Sequence, residues 1–408
     1  MSLSLRDARQ AVLGELGAPA TPAAEAVALD EALGRVLAAE VRADRDQPPF
    51  DRVTRDGFAV RAADVTGASA ERPAVLEVVG EVQAGAAVAT RVERGQCLEI
   101  MTGAALPAGS DAVVMVEHTL RQSPTRVAIQ RAVTAGENVV PRGSELGAGA
   151  SALGARRRLD PAALALLASL GCARPSVFAR PRVAIVATGD ELVELAETPG
   201  PHQIRNSNRH GLAAQVSRAG GVAVPAPIAR DDRDSLRAAI ERALPGADLL
   251  LLSGGVSMGK YDFVEEVLGA LGARPVFDGV AIRPGRPVVF GRLQGGVPYF
   301  GLPGNPLSTL VTFELFVRPA LELLAGAAPA PLRFTRAALA GAFQQRAVPL
   351  TVFVPARLEG EADAVTVVPL SSQGSGDLAA MARADCLMVV APGTTALAAG
   401  ELVPVWPT

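Results

Sequence analysis

Apolar positions along the chain change their period several times, and each change marks a different kind of element. Residues 4–16 place Leu5, Ala8, Val12 and Leu16 on one helical face. A second short helix is expected over 33–40. The chain then turns polar and kinks at Pro48-Pro49, a domain boundary. From 51 to 117 the pattern shortens to alternating runs at 74–82 and 96–101, split by glycine-rich turns. Together with Phe58-Ala59-Val60 and 112–116, these runs predict a small β-rich domain. Asp160-Pro161 supplies the N-cap and first residue of a helix over 162–170, and 174–182 reads as a proline-containing linker.

From Arg182 the pattern becomes strand–helix alternation. Strands are expected at 183–187, 222–228 and 249–252, and helices at 212–219, 234–244 and 264–271. A strand at 288–291, another at Tyr299-Phe300 and a long helix over 307–324 complete the unit. The alternation predicts an α/β parallel sheet with helices on both faces. Beyond the linker 326–331, short β-like segments at 350–358, 364–368, 386–390 and 402–405 predict a small β-barrel or sandwich.

Ligands of open α/β sheets bind outside the carboxyl ends of the strands. Polar residues collect there. Thr188-Gly189-Asp190-Glu191 follows the first strand, Arg230-Asp231-Asp232 the second and Ser253–Asp262 the third. Arg283-Pro284-Gly285-Arg286-Pro287 precedes a strand, and Gly301-Leu302-Pro303-Gly304-Asn305-Pro306 separates a strand from the long helix. Any one of these is an ordinary turn, and Asp262 alone reads equally well as a helix cap. Their collection at one edge favours a site. In the third segment, Gly254, Gly255 and Ser257 lie between strand and helix, an order that lets backbone N–H groups approach an anion.

Composition narrows the chemistry. The chain has 408 residues, enough for several domains, with 39 Lys+Arg against 42 Asp+Glu and a net charge of −3. No global field points to nucleic acid. The 49% hydrophobic content comes largely from alanine, and no run reaches the roughly 20 apolar residues of a membrane span. The N-terminal residues lack the apolar core of a signal peptide, so a soluble cytoplasmic protein is expected. Cys97, Cys172 and Cys386 are far apart, and His118, His202 and His210 do not cluster, which argues against zinc or disulfides. The carboxylates Asp56, Asp190, Glu191, Asp231 and Asp262 suit Mg²⁺ beside phosphate oxygens. Ser257, Arg283, Arg286 and the loop amides suit oxyanions. No Ser/His/Asp or Cys/His set suggests a protein nucleophile. Metal-assisted phosphoanhydride chemistry is the natural reading, with the substrate open. Asp56 and Asp111 sit at glycine-containing turns, the usual place for aspartate.

Several segments resemble the motifs of the MoeA family, the molybdopterin molybdenumtransferases, which is similar to the E-domain of gephyrin. They are Ser253-Gly254-Gly255-Val256-Ser257-Met258-Gly259, Thr188-Gly189-Asp190-Glu191-Leu192 and Gly301-Leu302-Pro303-Gly304-Asn305-Pro306. Outside the sheet region Pro49-Phe50-Asp51, Asp56-Gly57-Phe58-Ala59-Val60, Met101-Thr102-Gly103-Ala104, Asp111-Ala112-Val113-Val114 and Ser372-Gln373-Gly374-Ser375-Gly376 also match. The resemblance implies insertion of molybdate into adenylylated molybdopterin with release of AMP, and Mg²⁺ as cofactor. It implies an α/β hinge (1–50 and 146–181), a β-rich domain (51–145), a molybdopterin-binding domain (182–326) and a C-terminal β-barrel (327–408). It further implies catalytic roles for Asp56, Thr102, Glu191, Asp231 and Asp262, and metal ligation by Asp190, Glu191 and Asp262. Cofactor binding would fall to Gly254, Gly255, Ser257, Arg283, Arg286, Pro303, Pro306 and Ser375. The implied partners are the substrates, a second copy of the chain in a homodimer that shares sites, and the pterin-adenylylating enzyme of the pathway. Neither nucleic acid nor membrane is implied.

The chain departs from that pattern at several positions. Arg283 and Arg286 stand where lysine is usual, Val53-Thr54-Arg55 where Ser-Ala-Met is common, Ser144-Glu145 where Glu-Asp is usual, and Pro355 where arginine is common. Arginine keeps the charge and changes the geometry of anion binding. Two other functions use the same features. A nucleotide pyrophosphatase explains the phosphate loop and leaves Asp56 and Thr102 unexplained. A non-enzymatic scaffold leaves the carboxylates unexplained.

Overall fold

The computed structural model describes residues 2–87, 89–255, 263–362 and 364–407. Its centre is a six-stranded sheet with spatial order Val222–Pro225, Arg182–Ala187, Leu249–Ser253, Pro298–Leu302, Val289–Arg292, Arg274–Phe277. Every residue of Leu249–Ser253 is buried, as expected of a strand covered on both faces. Alternate side chains feed two cores. Leu249, Leu251, Phe300 and Leu302 face Leu212, Val216, Val311 and Phe316. Leu250, Leu252, Val289 and Tyr299 face Leu236, Ile240, Val264 and Leu268.

The sheet is mixed, which corrects the all-parallel expectation. Four strands are parallel, but Val289–Arg292 runs antiparallel to Pro298–Leu302, and Arg274–Phe277 antiparallel to Val289–Arg292. A short turn through Gly295 and Gly296, both at positive φ, makes a hairpin where a parallel connection would need a crossover. The reversal matters for the site. In a parallel strand the segment before Val289 would enter at the far edge. Here Val289 pairs with Gly301, so the arginine segment joins the carboxyl ends of the parallel strands.

Other expectations shift for physical reasons. Residues 33–40 form no helix: Gly34 has φ +73° and Val36 and Leu37 bridge to Arg158 and Val177. The expected linker at 174–182 contains the strand Ser176–Phe178, paired antiparallel with Ala24–Ala26. The helix expected from 212 begins at Ser207, because Asn206 accepts a hydrogen bond from the Arg209 amide and caps it. The long helix after Pro306 runs through a π-turn at Phe313–Val317 before continuing over Arg318–Leu324. The first helix, Leu5–Leu16, is capped by Ser4 and packs Ala8 and Val12 into the sheet domain's core.

The β-rich domain is a curled six-stranded sheet ordered Ala112–Met115, Gly57–Val60, Gln96–Ile100, Ala74–Val82, Arg126–Ile129, Thr119–Ser123. A register shift between Val78 and Glu81 bends it over two small cores. Two chain crossings join it to the rest, tied by Gly143 N–H donating to the Pro48 carbonyl and Glu145 N–H to that of Gln47, each at 3.0 Å. In the C-terminal region Thr351–Glu359, Thr366–Pro369, Thr335–Leu339, Leu402–Pro407 and Cys386–Val390 close into a barrel. Ile282–Arg283 adds to it beside Thr351 and Val352, so the arginine segment is clamped between sheet and barrel. Among the described residues no helix is long and apolar enough to cross a membrane.

Candidate functional site

The carboxyl edge of the sheet carries two clusters of opposite charge. At its acidic end Thr188 Oγ1 donates to Asp231 Oδ1 at 2.8 Å. The Asp190 amide donates to Asp231 Oδ2, and the Asp231 amide to Asp190 Oδ1, both at 3.3 Å. The two loops thereby hold their carboxylates side by side. Glu191 is exposed next to them, its carboxylate folded against Gly189. Among the described residues no group of three or more His, Cys, Asp or Glu can hold a metal. Two carboxylates with phosphate oxygens and water are nevertheless the usual shell of Mg²⁺. The donor set here therefore fits that ion.

The glycine turn lies between the clusters. Gly254 has φ +94°, and a Cβ there would meet the Thr188 carbonyl oxygen at 2.5 Å. Only glycine lets these strands end so close together. The Gly254 N–H is taken by the Leu302 carbonyl at 3.2 Å, so this residue shapes the turn. Ser257 and Asp262 lie outside the described residues. Asn208, which the sequence reading passed over, ties the turn to the next loop: its amide donates to Ser253 Oγ at 2.9 Å and to the Gly304 carbonyl at 2.7 Å. Its only sequence signal is its place in the first turn of a helix that starts at the sheet edge.

At the basic end a cleft of about 830 Å³ opens between sheet domain and barrel. Arg283, Arg286, Pro303, Asn305, Arg346 and Ser375 are among its walls. Gly285, at φ +103°, packs so tightly on Thr312 and Ile282 that a Cβ would collide, which fixes the turn carrying both arginines. Asn305 Nδ2 donates to Ser375 Oγ at 2.9 Å, and the Leu307 amide to the Ser375 carbonyl at 3.1 Å, joining the barrel to the start of the Pro306–Thr312 helix. Pro306 is the first residue of that helix, and its ring suits the position. Among the described residues Arg283, Arg286 and Arg346 have no ion-pair partner, whereas Arg218 and Arg318 are paired with Glu314. Asn305 belongs to the turn at 301–306 already singled out, whereas Arg346 is an addition that the barrel's closure brings to the site, and nothing in its local sequence marks it.

Asp56 and Thr102 form a separate feature in the β-rich domain. Asp56 Oδ1 accepts the Thr102 N–H at 2.6 Å and its hydroxyl at 2.7 Å. Those two bonds, the backbone one first, hold the Asp56 carboxyl below the usual carboxylate range. Both residues are exposed. Among the described residues no hydrogen bond or ion pair links the strands of this domain to the sheet edge of the same chain. Cysteine chemistry has no place in the site: burial pushes the Cys97 and Cys386 thiols up to about 12.

Comparison with known proteins agrees along the whole chain. Residues 3–171 match the MoeA N-terminal region (domain I and II), 184–323 the probable molybdopterin binding domain, and 337–408 the MoeA C-terminal region (domain IV). A molybdopterin molybdenumtransferase from Nostoc sp. is 42% identical over 306 residues, 74% of this chain and 70% of the relative. Another, from Staphylococcus epidermidis, is 34% identical over 377 residues, covering 92% and 89%. A solved molybdopterin biosynthesis MoeA protein from Pyrococcus horikoshii superposes with a TM-score of 0.81 at 28% identity over 100% of both chains. A second solved Pyrococcus MoeA structure gives 0.73 at 32% identity, covering 100% and 99%. The chain therefore belongs to the MoeA family of molybdopterin molybdenumtransferases, transferases of molybdenum cofactor biosynthesis.

Proposed function

We propose that the sheet edge inserts molybdate into adenylylated molybdopterin and releases AMP, with Mg²⁺ as cofactor. The observation that carries this reading is the cleft whose arginines have no ion-pair partner among the described residues, and which adjoins a glycine turn and a carboxylate pair along one edge. Arg283 and Arg286 hold the tetrahedral oxyanion through paired N–H groups. Asp190 and Asp231, with Asp262 and Glu191 as further candidates, hold Mg²⁺, which supplies charge neutralisation at the phosphoanhydride. Gly255 and Ser257 contact the phosphates. Pro303 and Ser375 shape the wall on which the pterin end rests, and Pro306 starts the helix behind it. Anaerobic incubation with adenylylated molybdopterin, Mg²⁺ and molybdate should release AMP in step with cofactor formation. AMP release that ignores molybdate would instead favour a nucleotide pyrophosphatase.

The same reading extends to a homodimer. Among the described residues the Asp56–Thr102 pair has no bond to its own sheet edge, and a partner chain offers the simplest way to bring it there. Mixing Asp56→Asn and Asp231→Asn subunits, at a Mg²⁺ concentration too low for Asp231→Asn alone to turn over, should restore part of the activity. No recovery after confirmed subunit exchange would place both residues at the same chain's site. Substrate delivery by the pterin-adenylylating enzyme belongs to this proposal as well.

A further inference from the structure

The glycine turn and the arginine cleft belong to different segments. The glycine turn closes the strand Leu249–Ser253, and the cleft opens between the turn at 301–306 and the barrel. Their spacing is set where the two turns meet. Strand pairing ends at Ser253 and Leu302, so the ladder of the sheet does not hold the residues beyond. Gly304 nevertheless stands close over the glycine turn: a Cβ on it would lie 3.5 Å from Gly254 Cα.

Asn208 supplies the tie. It is the second residue of the Ser207–Arg218 helix and is half-buried at the sheet edge. Its Nδ2 donates to Ser253 Oγ at 2.9 Å and to the Gly304 carbonyl at 2.7 Å, which uses both of its N–H groups. A carbonyl only accepts, so the amide must face Gly304 with its nitrogen. Ser253 is 2% exposed, a firm anchor. Among the described residues the Gly304 carbonyl has no other donor. The contacts then continue toward the barrel. Asn305 donates to Ser375 Oγ at 2.9 Å, and the Leu307 N–H to the Ser375 carbonyl at 3.1 Å. Pro303 and Pro306 fix φ on either side, so the short segment between them has few ways to move on its own.

We propose that Asn208 is a positioning residue for the reaction: it holds the turn at 301–306 on the glycine turn and, through Asn305 and Ser375, fixes the spacing between the phosphate-binding and oxyanion-binding ends of the site. The inference rests on the function proposed above. Asn208 acts through Gly304 and not on the reacting atoms. A displacement of about 1 Å between reacting groups costs up to about a hundredfold in rate. Binding of each ligand alone depends on its own segment. Loss of the tie therefore lowers turnover and leaves half-saturation by molybdate and Mg²⁺ in place.

Two variants test this without threatening the fold. Asn208→Ala puts a strong helix former in the first turn, and Asn206 still caps the helix. Asn208→Asp keeps the shape and suits a helix N-terminus. Its carboxylate accepts from the Ser253 hydroxyl but has nothing to donate to the Gly304 carbonyl. Both should lower kcat for AMP release by about ten- to a hundredfold, with half-saturation by molybdate and Mg²⁺ unmoved. Asn208→Ala and Asn305→Ala should combine less than additively, as members of one network do. Hydrogen exchange reads the tie without any reaction: in Asn208→Ala, peptides covering 249–255 and 301–312 should both exchange faster. Unchanged kcat, or a fall in kcat accompanied by an equal weakening of molybdate binding, overturns the positioning role. Full turnover by Asn208→Asp overturns the tie to Gly304. Unchanged exchange in either peptide overturns the coupling of the two turns and leaves the proposed function standing. Faster exchange in both, in a protein whose unaltered form releases no AMP, supports the tie and overturns the proposed reaction.

Discussion

The acidic and basic ends of the sheet edge are built in different ways. Asp190 and Asp231 follow parallel strands, and each is oriented by the other loop's backbone N–H. Arg283 and Arg286 precede an antiparallel strand and sit on a turn fixed by Gly285 against Thr312. The acidic end needs only neighbouring strands of one layer. The basic end needs the hairpin, the long helix and the barrel, which adds Arg346 and Ser375 across the cleft. A short-range carboxylate pair and a wider arginine-lined cleft follow from that difference.

Gly254→Val strikes both ends and should have the largest effect. It places a side chain at φ +94° against the Thr188 carbonyl, with a cost of about 1–3 kcal/mol for the strained backbone alone. Urea unfolding should show the loss, and titrations of both Mg²⁺ and molybdate should deteriorate together. If only one titration moves, the turn does not join the two ends.

Asp231→Asn separates them. The amide oxygen can still accept from Thr188, but the charge is gone. The Mg²⁺ requirement for AMP release should rise about 10–100-fold, the range seen when groups around a metal are altered, with molybdate half-saturation unchanged. Arg286→Ala is the converse. Loss of a charge-assisted contact of about 1.5–3 kcal/mol raises the molybdate needed by about one to two decades, with the Mg²⁺ dependence unmoved. Weakened pterin binding at unchanged molybdate dependence would reassign this arginine to the pterin phosphate.

The smallest expected effect lies in the β-rich domain. Thr102→Val removes the hydroxyl bond to Asp56 and keeps the backbone one. The carboxyl titration, followed by NMR, should move partway back up toward the ordinary range. Because the folded-state value is depressed, the stabilisation is fully present above the ordinary carboxylate pKa and is lost as pH falls through the lowered value. The variant should therefore be slightly less stable than the unaltered protein at neutral pH, and the difference should vanish as pH falls through the lowered value. An unmoved titration would mean that the backbone bond alone sets it.

Much of this was legible in the residues because it depends on local chemistry. Leu249–Ser253 is apolar on both faces and can only be a covered strand. Asp160-Pro161 caps a helix wherever it occurs. Thr188, Asp190, Asp231 and Gly254 follow strands directly, so finding the strands finds them. The resemblance adds Asp56, Thr102 and Ser375 through motifs that no periodicity marks. Residues 33–40 misled because Val36 packs with Phe178, Ala325 and Ala327 while Leu37 packs with Leu159, Leu167 and Val177, two cores built by residues far along the chain.

The sequence by itself determined the strands, their capped ends and the kinds of charge placed there, since burial and turn chemistry act over a few residues. Only the tertiary structure decided which charges share a cleft. Antiparallel reversal of Val289–Arg292 brought the arginine turn to the carboxyl edge, and barrel closure set Arg346 and Ser375 opposite it. Strand direction, closure and coverage are properties of many residues packing at once, and no local pattern encodes them.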